Sequence, residues 1–159
     1  MSMPTPLINV MNNAARKASR LLMRDFGEVE QLQVSRKGPG DFVSEADKRT
    51  EEILHEELQK ARPGFGFLME EGGTIEGENA NERWIIDPID GTTNFTHGAP
   101  LAAVSIGLCV DRTPTIGVVY DPYNDELHVG VRGGGAYRNG ERIDVDASTR
   151  TLPQALVLV

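Results

Sequence analysis

An apolar segment, a turn and a helix start follow one another in Trp84-Ile85-Ile86-Asp87-Pro88-Ile89-Asp90-Gly91-Thr92-Thr93-Asn94-Phe95. The three apolar residues at its start predict a short buried strand. Pro88 fixes its own φ angle and has no N–H for a β-ladder, and Gly91 permits a tight turn. The residues from Thr92 on are typical of a helix start, where Thr or Asn caps the first turn.

This pattern places two carboxylates, those of Asp87 and Asp90, at a strand end beside a helix N-terminus. Carboxylate oxygens hold hard cations, and the N–H groups of a helix start bind anions. A protein that handles a phosphate ester needs both. Asp-Pro and Asp-Gly are also ordinary turn dipeptides, so these dipeptides alone leave a purely structural turn open.

Composition limits the classes of protein to consider. The chain has 159 residues, 39% hydrophobic and 25% charged, which is typical of one globular domain. Its formal net charge of −8 argues against nucleic-acid binding, which relies on an excess of Lys and Arg. The longest apolar run, residues 101–110, is too short to span a bilayer. The single cysteine, Cys109, forms no internal disulfide and fits a reducing compartment. We therefore predict a cytoplasmic protein with no membrane segment.

Hydrophobic periodicity predicts two long helices and several strands. The first helix covers residues 5–26 and is closed by Gly27. The second covers residues 44–61, with Ser44 as its N-cap. Two glycines around a proline predict a mobile loop over residues 36–41. Short apolar segments predict strands at 65–69, 101–110, 115–120 and 126–131, and Tyr137-Arg138-Asn139-Gly140 predicts a hairpin.

The Trp84–Phe95 segment resembles the signature of the inositol monophosphatase family of metal-dependent sugar phosphatases. The likeness continues through Phe95-Thr96-His97-Gly98-Ala99-Pro100 and Val104-Ser105-Ile106-Gly107. It covers the whole chain but only the N-terminal part of the family fold. The resemblance implies a layered α/β (α+β) sugar-phosphatase fold, with two long helices packed on a mostly antiparallel sheet. Residues 1–159 would be its N-terminal α+β part, ending in mid-fold.

The resemblance also implies a set of metal ligands, namely Glu70, Asp87, the backbone carbonyl of Ile89, and Asp90. Such hard oxygen ligands favour Mg²⁺, with Mn²⁺ as an alternative. One ion would bind the first three ligands, and a second would share Asp87 and take Asp90 together with an aspartate outside this sequence. Met69 stands where the family usually has glycine, so its side chain adds bulk beside the expected metal site.

Further roles follow from the same resemblance. Glu70 and Thr92 would orient the attacking water, and the phosphate would sit on the backbone N–H groups of Gly91 and Thr92. Asp90 would also contact the substrate. Asp47 would lie near the metal cluster, although it is also explained as the partner in a helix cap. Lys37 would belong to a mobile segment beside the active site, with a catalytic role.

The implied function is Mg²⁺-dependent hydrolysis of inositol monophosphate or a related sugar phosphate, inhibited by Li⁺, in a homodimer. Related alternatives are fructose-1,6-bisphosphatase and 3′-phosphonucleotide phosphatase activity. A different class is a non-enzymatic partner of the transcription machinery, a role that bacterial members of the family can have. We expect the chain alone to have weak or no activity. We also expect it to associate, because the apolar run 155–159 would leave a strand edge uncovered.

Overall fold

A computed structural model describes residues 6–32 and 39–145, without the side chains of residues 29–32, 39–42 and 44. Its three helices are α1 (Pro6–Leu32), α2 (Pro39–Ala61) and α3 (Thr92–Thr96). The strands are β1 (Phe65–Met69), β2 (Gly73–Ile75), β3 (Asn79–Asp90), β4 (Ala103–Val110), β5 (Thr113–Asp121), β6 (Glu126–Val131), β7 (Gly135–Arg138) and β8 (Glu141–Ile143).

All of these strands form one eight-stranded sheet in the order β2-β1-β3-β4-β5-β6-β7-β8. Only β1 and β3 run parallel, and every other neighbouring pair is antiparallel. The predicted hairpin joins β7 to β8, with Asn139 and Gly140 at positive φ angles of 49° and 84°. The expected layered class, long helices on a mostly antiparallel sheet, is confirmed.

The core lies between the two long helices and one face of the sheet. In α1 the buried side chains recur at helical spacing and include Met11, Ala14, Ala15, Ala18 and Leu22. The sheet contributes every second residue of its strands, including Trp84, Ile86, Val104, Ile106 and Val118. The prediction of three consecutive buried residues was wrong at Ile85, which is 38% exposed, because neighbouring strand residues point to opposite faces.

The opposite face of the sheet has no helix over it in the part of the chain that the structure describes. Leu68, Ile85 and Val119 are each about two-fifths exposed there. Side chains at Gly117 and Gly130 would meet no atom within 4 Å. The described residues include no helix long and apolar enough to cross a bilayer. In residues 6–32 and 39–145, helices therefore cover one face of the sheet only.

The end of α1 and the start of α2 differ from the prediction, whereas α2 ends at Ala61 as predicted. α1 continues past Gly27 to Leu32, and α2 begins at Pro39, five residues before the expected cap Ser44. A glycine within a helix costs only about 1 kcal/mol, which packing of the apolar face of α1 outweighs. Proline is compatible with the first turn of a helix. Residues 39–41 of the predicted loop are therefore helical, and Lys37 lies outside the described residues.

An ion pair that the sequence did not reveal joins α1 to α2. The side chain of Asp25 is 1% exposed, and its Oδ2 accepts a hydrogen bond from Arg49 Nη2 at 3.0 Å. Arg24 Nη2 lies 3.3 Å from the other carboxylate oxygen. Burial removes water from the carboxylate, so these donors must satisfy its charge. The pair therefore fixes how the two helices lie against each other.

We expect Asp25→Asn to lower the free energy of unfolding by about 2 kcal/mol, because it leaves Arg49 without this anion. The figure lies below that for a fully buried pair because the Arg49 side chain is 40% exposed. Chemical denaturation followed by circular dichroism measures it. Arg24→Ala is the control, since the Arg24 side chain is 63% exposed and should change stability by only about 0.5 kcal/mol. Equal effects of the two substitutions would contradict the assignment.

Candidate metal and phosphate site

The candidate site begins where the ladder between β3 and β4 is interrupted. Asp87 pairs with Ser105 and Asp90 with Ala103, so β3 has one residue more than β4 between these pairs. The cause is Pro88, which has no N–H to donate across the ladder. The bulge therefore lies between the two aspartates, at the end of β3.

Local hydrogen bonds close the bulge into a compact turn. The N–H of Ile89 donates to Asp87 Oδ1 at 3.1 Å. The carbonyl of Ile89 accepts a hydrogen bond from Thr92 Oγ1 at 2.9 Å. The N–H and carbonyl groups of Ile89 thus find their hydrogen-bond partners within the turn itself. This carbonyl is the one predicted as a metal ligand.

Gly91 allows the chain to pass from this turn into α3. Its φ of 97° lies in the left-handed region, and a Cβ atom there would come within 2.7 Å of the Leu101 carbonyl oxygen. The prediction of a Thr or Asn cap was wrong. Gly91 is the N-cap residue and makes no side-chain cap. The Asn94 amide instead donates to the Leu101 carbonyl at 2.9 Å.

Three elements bring four carboxylates to this end of β3. Asp47 is buried in α2, Glu70 follows β1, Asp87 lies at the bulge and Asp90 ends β3. Burial, followed by the negative charges of Glu70, Glu71, Asp87 and Glu51 in that order of importance, raises the pKa of Asp47 from 3.8 to about 7. The carboxylates are therefore close enough to repel one another.

Asp87 is perturbed in the same direction. Burial, followed by the charges of Glu70 and Asp90, raises its pKa from 3.8 to about 6. A hydrogen bond between the carboxyl groups of Asp87 and Glu70 adds to the rise, because it requires a proton on one of them. The bond from the Ile89 N–H acts in the opposite direction, since it stabilises the ionised form.

The donor set fits a hard divalent cation. Oδ1 of Asp47 is buried without a hydrogen-bond partner among the described residues, and a buried carboxylate oxygen requires a proton or a cation. The neighbouring donors are carboxylate and carbonyl oxygens, which Mg²⁺ and Mn²⁺ prefer. In residues 6–32 and 39–145, no three His, Cys, Asp or Glu side chains converge closely enough to hold an ion as they are placed.

The predicted site residues divide into three groups. The structure brings Asp47, Glu70, Asp87 and Asp90 into one electrostatic cluster. The Ile89 carbonyl and the Thr92 hydroxyl lie in the adjoining turn, with Gly91 between them. Lys37 lies outside the described residues. The roles of all these residues remain predictions.

Glu51 is a further carboxylate beside this site, and it was not among the predicted site residues. This residue is 5% exposed in α2, and its two carboxylate oxygens accept the backbone N–H groups of Glu71 at 2.9 Å and Gly72 at 2.7 Å. The available signal was its spacing from Asp47, because residues four apart lie on the same helix face.

The extra bulk of Met69 is accommodated by packing rather than left in solvent. Its half-buried side chain packs against the hydrophobic core. Its Cε lies 2.6 Å from the place that a Cβ of Gly72 would occupy. The methionine therefore fills space beside the turn after β1, and it relies on the absence of a side chain at Gly72.

Comparison with known proteins identifies the family. The sequence model of the inositol monophosphatase family matches residues 3–159. The chain belongs to the inositol monophosphatase family. The resemblance carried by the Trp84–Phe95 segment is confirmed.

Individual inositol monophosphatases and related proteins are similar over most of this chain. The inositol-1-monophosphatase of Mesorhizobium japonicum is 60% identical over 139 residues, which are 87% of this chain and 52% of that protein. The Nus factor SuhB of Escherichia coli K12 is 38% identical over 138 residues, again 87% and 52%. The crystal structure of the extragenic suppressor protein suhB from Bartonella henselae has a TM-score of 0.81 at 55% identity, covering 90% of this chain and 55% of its own. The chain spans about half the length of the curated relatives it matches.

We expect Mg²⁺ to stabilise the fold more strongly as pH rises. A carboxyl group with a raised folded-state pKa stabilises the fold fully below its unfolded pKa, and this contribution is lost as pH rises through the folded value. For Asp47 that window runs from 3.8 to about 7. A divalent cation binds the ionised form and offsets the loss, by about 2.7 kcal/mol at a concentration 100 times its Kd.

Thermal unfolding between pH 5 and pH 8, with EDTA or with Mg²⁺, measures this linkage. Asp47→Asn is the matched variant, because it removes the largest pKa shift and should flatten the pH dependence in EDTA. A gain from Mg²⁺ that is the same at every pH would contradict the electrostatic cluster.

Proposed function

We propose that this chain is part of a Mg²⁺-dependent phosphatase that hydrolyses inositol monophosphate or a related sugar phosphate. The observation that carries the proposal is the electrostatic cluster of Asp47, Glu70, Asp87 and Asp90 beside the turn into α3. Glu70, Asp87, the Ile89 carbonyl and Asp90 would hold the metal. When bound, the metal would activate a water molecule and stabilise the charge that develops on the phosphate oxygens.

Thr92 would orient the attacking water. Its hydroxyl proton is used in the bond to the Ile89 carbonyl, at 2.9 Å. A hydroxyl group that donates in one direction presents its lone pairs in the others. The Thr92 oxygen can therefore accept a hydrogen bond from a water molecule, and the Glu70 carboxylate, which is exposed, can accept a second. Two acceptors of this kind hold a water with its own lone pair directed at the substrate.

The phosphate group would lie at the start of α3. The backbone N–H groups of Gly91 and Thr92 would donate hydrogen bonds to it. The left-handed conformation at Gly91 favours glycine, so no side chain covers this part of the backbone. Asp90, exposed beside Gly91, would accept hydrogen bonds from hydroxyl groups of the substrate. This combination favours a small phosphorylated polyol or sugar. The related alternatives, fructose 1,6-bisphosphate and 3′-phosphonucleotides, are distinguished by direct assay.

The wider setting of the activity follows from the same reasoning. The lone cysteine, Cys109, supports a cytoplasmic location, since it offers no internal disulfide to an oxidising compartment. A homodimer is the assembly that the family resemblance implies. The whole enzyme would consist of this α+β part together with a further C-terminal part.

A second candidate is a partner of the transcription machinery. It is favoured by the relatives named Nus factor SuhB. Such a role would depend on surface contacts and would be independent of metal-assisted hydrolysis. A full-length Asp87→Asn protein that has lost turnover but keeps its association with RNA polymerase would support it. Loss of both together would favour the enzyme alone.

We expect Asp87→Asn in a full-length chain to lower Mg²⁺-dependent turnover of inositol 1-phosphate by about 10³-fold, or about 4 kcal/mol in the barrier. The amide removes a negative ligand that the proposed ions share. Release of inorganic phosphate at saturating substrate measures the effect.

Asp121→Asn is the matched control for this experiment. Like Asp87, Asp121 precedes a proline, and its Oδ1 accepts a hydrogen bond from the N–H of the second residue after it, Tyr123, at 2.8 Å. Asp121 belongs to a turn at the end of β5, so the turnover of Asp121→Asn should stay within about twofold of the parent value. Near-normal activity of Asp87→Asn would refute the metal assignment.

We also expect Li⁺ at millimolar concentration to inhibit the full-length enzyme. Li⁺ is a small hard cation that can occupy a carboxylate-rich Mg²⁺ site and slow the release of phosphate. Inhibition should weaken in Asp90→Asn, which lacks one carboxylate of the cluster, whereas K⁺ at the same ionic strength should have no effect. Uninhibited hydrolysis of inositol 1-phosphate would point to a different branch of sugar phosphatases.

A further inference from the structure

We propose that Glu51 is the positioning residue for Glu70. The inference rests on the proposed function, because it concerns how a ligand of the proposed metal site is held. Glu51 lies in the middle of α2, whereas Glu70 follows the end of β1. The link between them is the backbone of the two residues after Glu70.

Both oxygens of the Glu51 carboxylate are used on this backbone. Oε2 accepts the N–H of Glu71 at 2.9 Å, and Oε1 accepts the N–H of Gly72 at 2.7 Å. The side chain is 5% exposed, so water competes little for these bonds. Hydrogen bonds to an ionised acceptor are about twice as strong as bonds between neutral groups. We call this pair of bonds the Glu51 clamp.

The clamp restrains Glu70 from its C-terminal side. On its N-terminal side, Met69 is held in the sheet, where it pairs with Ile86 of β3 and with Gly73 of β2. Glu70 therefore sits between a paired strand end and a clamped turn. Its side chain is exposed, so packing does little to orient it, and the position of its backbone limits where its carboxylate can lie.

Electrostatics explain why the turn needs such a restraint. Glu70 and Glu71 both raise the pKa of Asp47 through their negative charges, and Glu70 does the same to Asp87. Repulsion from these groups pushes the turn away from α2 and the end of β3. Glu51 adds another negative charge to this region, so it cannot act as a counter-ion. Its contribution is the hydrogen bonding of two consecutive N–H groups, which requires an acceptor with two oxygens.

Two side chains border the place that a side chain at Gly72 would occupy. A Cβ added at Gly72 would lie 3.2 Å from Glu51 Oε1 and 2.6 Å from Met69 Cε. Met69 and Glu51 therefore meet at the same point of the turn. The methionine that departs from the family pattern therefore lies beside the clamp.

The test compares Glu51→Gln with Glu52→Gln in the full-length chain. A glutamine keeps one oxygen acceptor but turns its amide N–H₂ toward the second backbone N–H, which breaks one bond of the clamp. Glu52 is the adjacent, exposed carboxylate of α2, and it lines the same cavity of about 260 Å³ as Glu51 and Met69. The two variants thus remove the same charge from neighbouring positions.

Hydrogen exchange reports on the clamp, calorimetry on metal binding, and turnover on the ligand set. Hydrogen exchange at the amides of Glu71 and Gly72 should become at least about tenfold faster in Glu51→Gln and stay unchanged in Glu52→Gln. Calorimetric titration with Mg²⁺ should show about tenfold weaker binding in Glu51→Gln alone. Turnover at saturating Mg²⁺ should recover to within about threefold of the parent, because the ligand itself is intact.

A second variant approaches the clamp from the turn. Gly72→Ala leaves α2 untouched and places a methyl group against Oε1, so it should weaken Mg²⁺ binding in the same direction. Adding Met69→Ala should restore part of the affinity, since it clears the space that the new methyl needs. This pair keeps the proposal testable if Glu51→Gln does not fold.

The possible outcomes separate this inference from the proposed function. Faster exchange in Glu51→Gln with unchanged Mg²⁺ affinity would overturn the positioning role, and so would identical behaviour of Glu51→Gln and Glu52→Gln. If Asp87→Asn also left Mg²⁺ affinity unchanged, the metal site itself would be wrong. Weaker binding in both Asp87→Asn and Glu51→Gln, with Glu52→Gln normal, would support both proposals.

Discussion

The missing N–H of Pro88 is the constraint on which the candidate site depends. A continuous ladder between β3 and β4 would alternate side chains to the two faces of the sheet and keep the Ile89 backbone occupied. Because proline cannot donate, β3 gains one residue between its pairs at Asp87 and Asp90. The freed backbone of Ile89 then bonds to Asp87 and Thr92. Strand end, carboxylates and helix start are thereby fixed relative to one another.

The carboxylates assembled around this turn are destabilising by themselves. Burial and mutual repulsion raise the pKa of Asp47 to about 7 and that of Asp87 to about 6. Protein cores rarely hold acidic groups in this way unless a partner compensates for them. The surrounding structure resists the repulsion through backbone contacts, of which the Glu51 clamp is the clearest. A cluster of charges that destabilises the fold, and that contacts in the surrounding structure hold together, is typical of a functional site.

The sheet is equally informative in what it leaves uncovered. α1 and α2 cover one face, and residues such as Leu68, Ile85 and Val119 lie partly exposed on the other. The glycines of this face, among them Gly117 and Gly130, leave room for close approach of another layer. The matched residues make up 52% to 55% of the length of relatives that share the fold.

The sequence by itself determined the elements whose causes are local. Strand β1 was predicted with its observed ends, because its apolar run is bounded by Pro63-Gly64 and by acidic and glycine residues. The turn from Asp87 to Thr92 was predicted as well, because proline and glycine act on their own backbone. The carboxylates of the site could be named from the family resemblance, since its motifs are contiguous in sequence.

Only the tertiary structure decided features that depend on residues distant in sequence. Gly27 did not end α1, and Ser44 did not begin α2, because packing between helices and sheet outweighs the small preferences of single residues. The exposure of Ile85 follows from the helices covering just one face of the sheet. The Asp25–Arg49 pair and the Glu51 clamp span 24 and about 20 residues. Their geometry is set by where α2 lies, and no local pattern encodes that position.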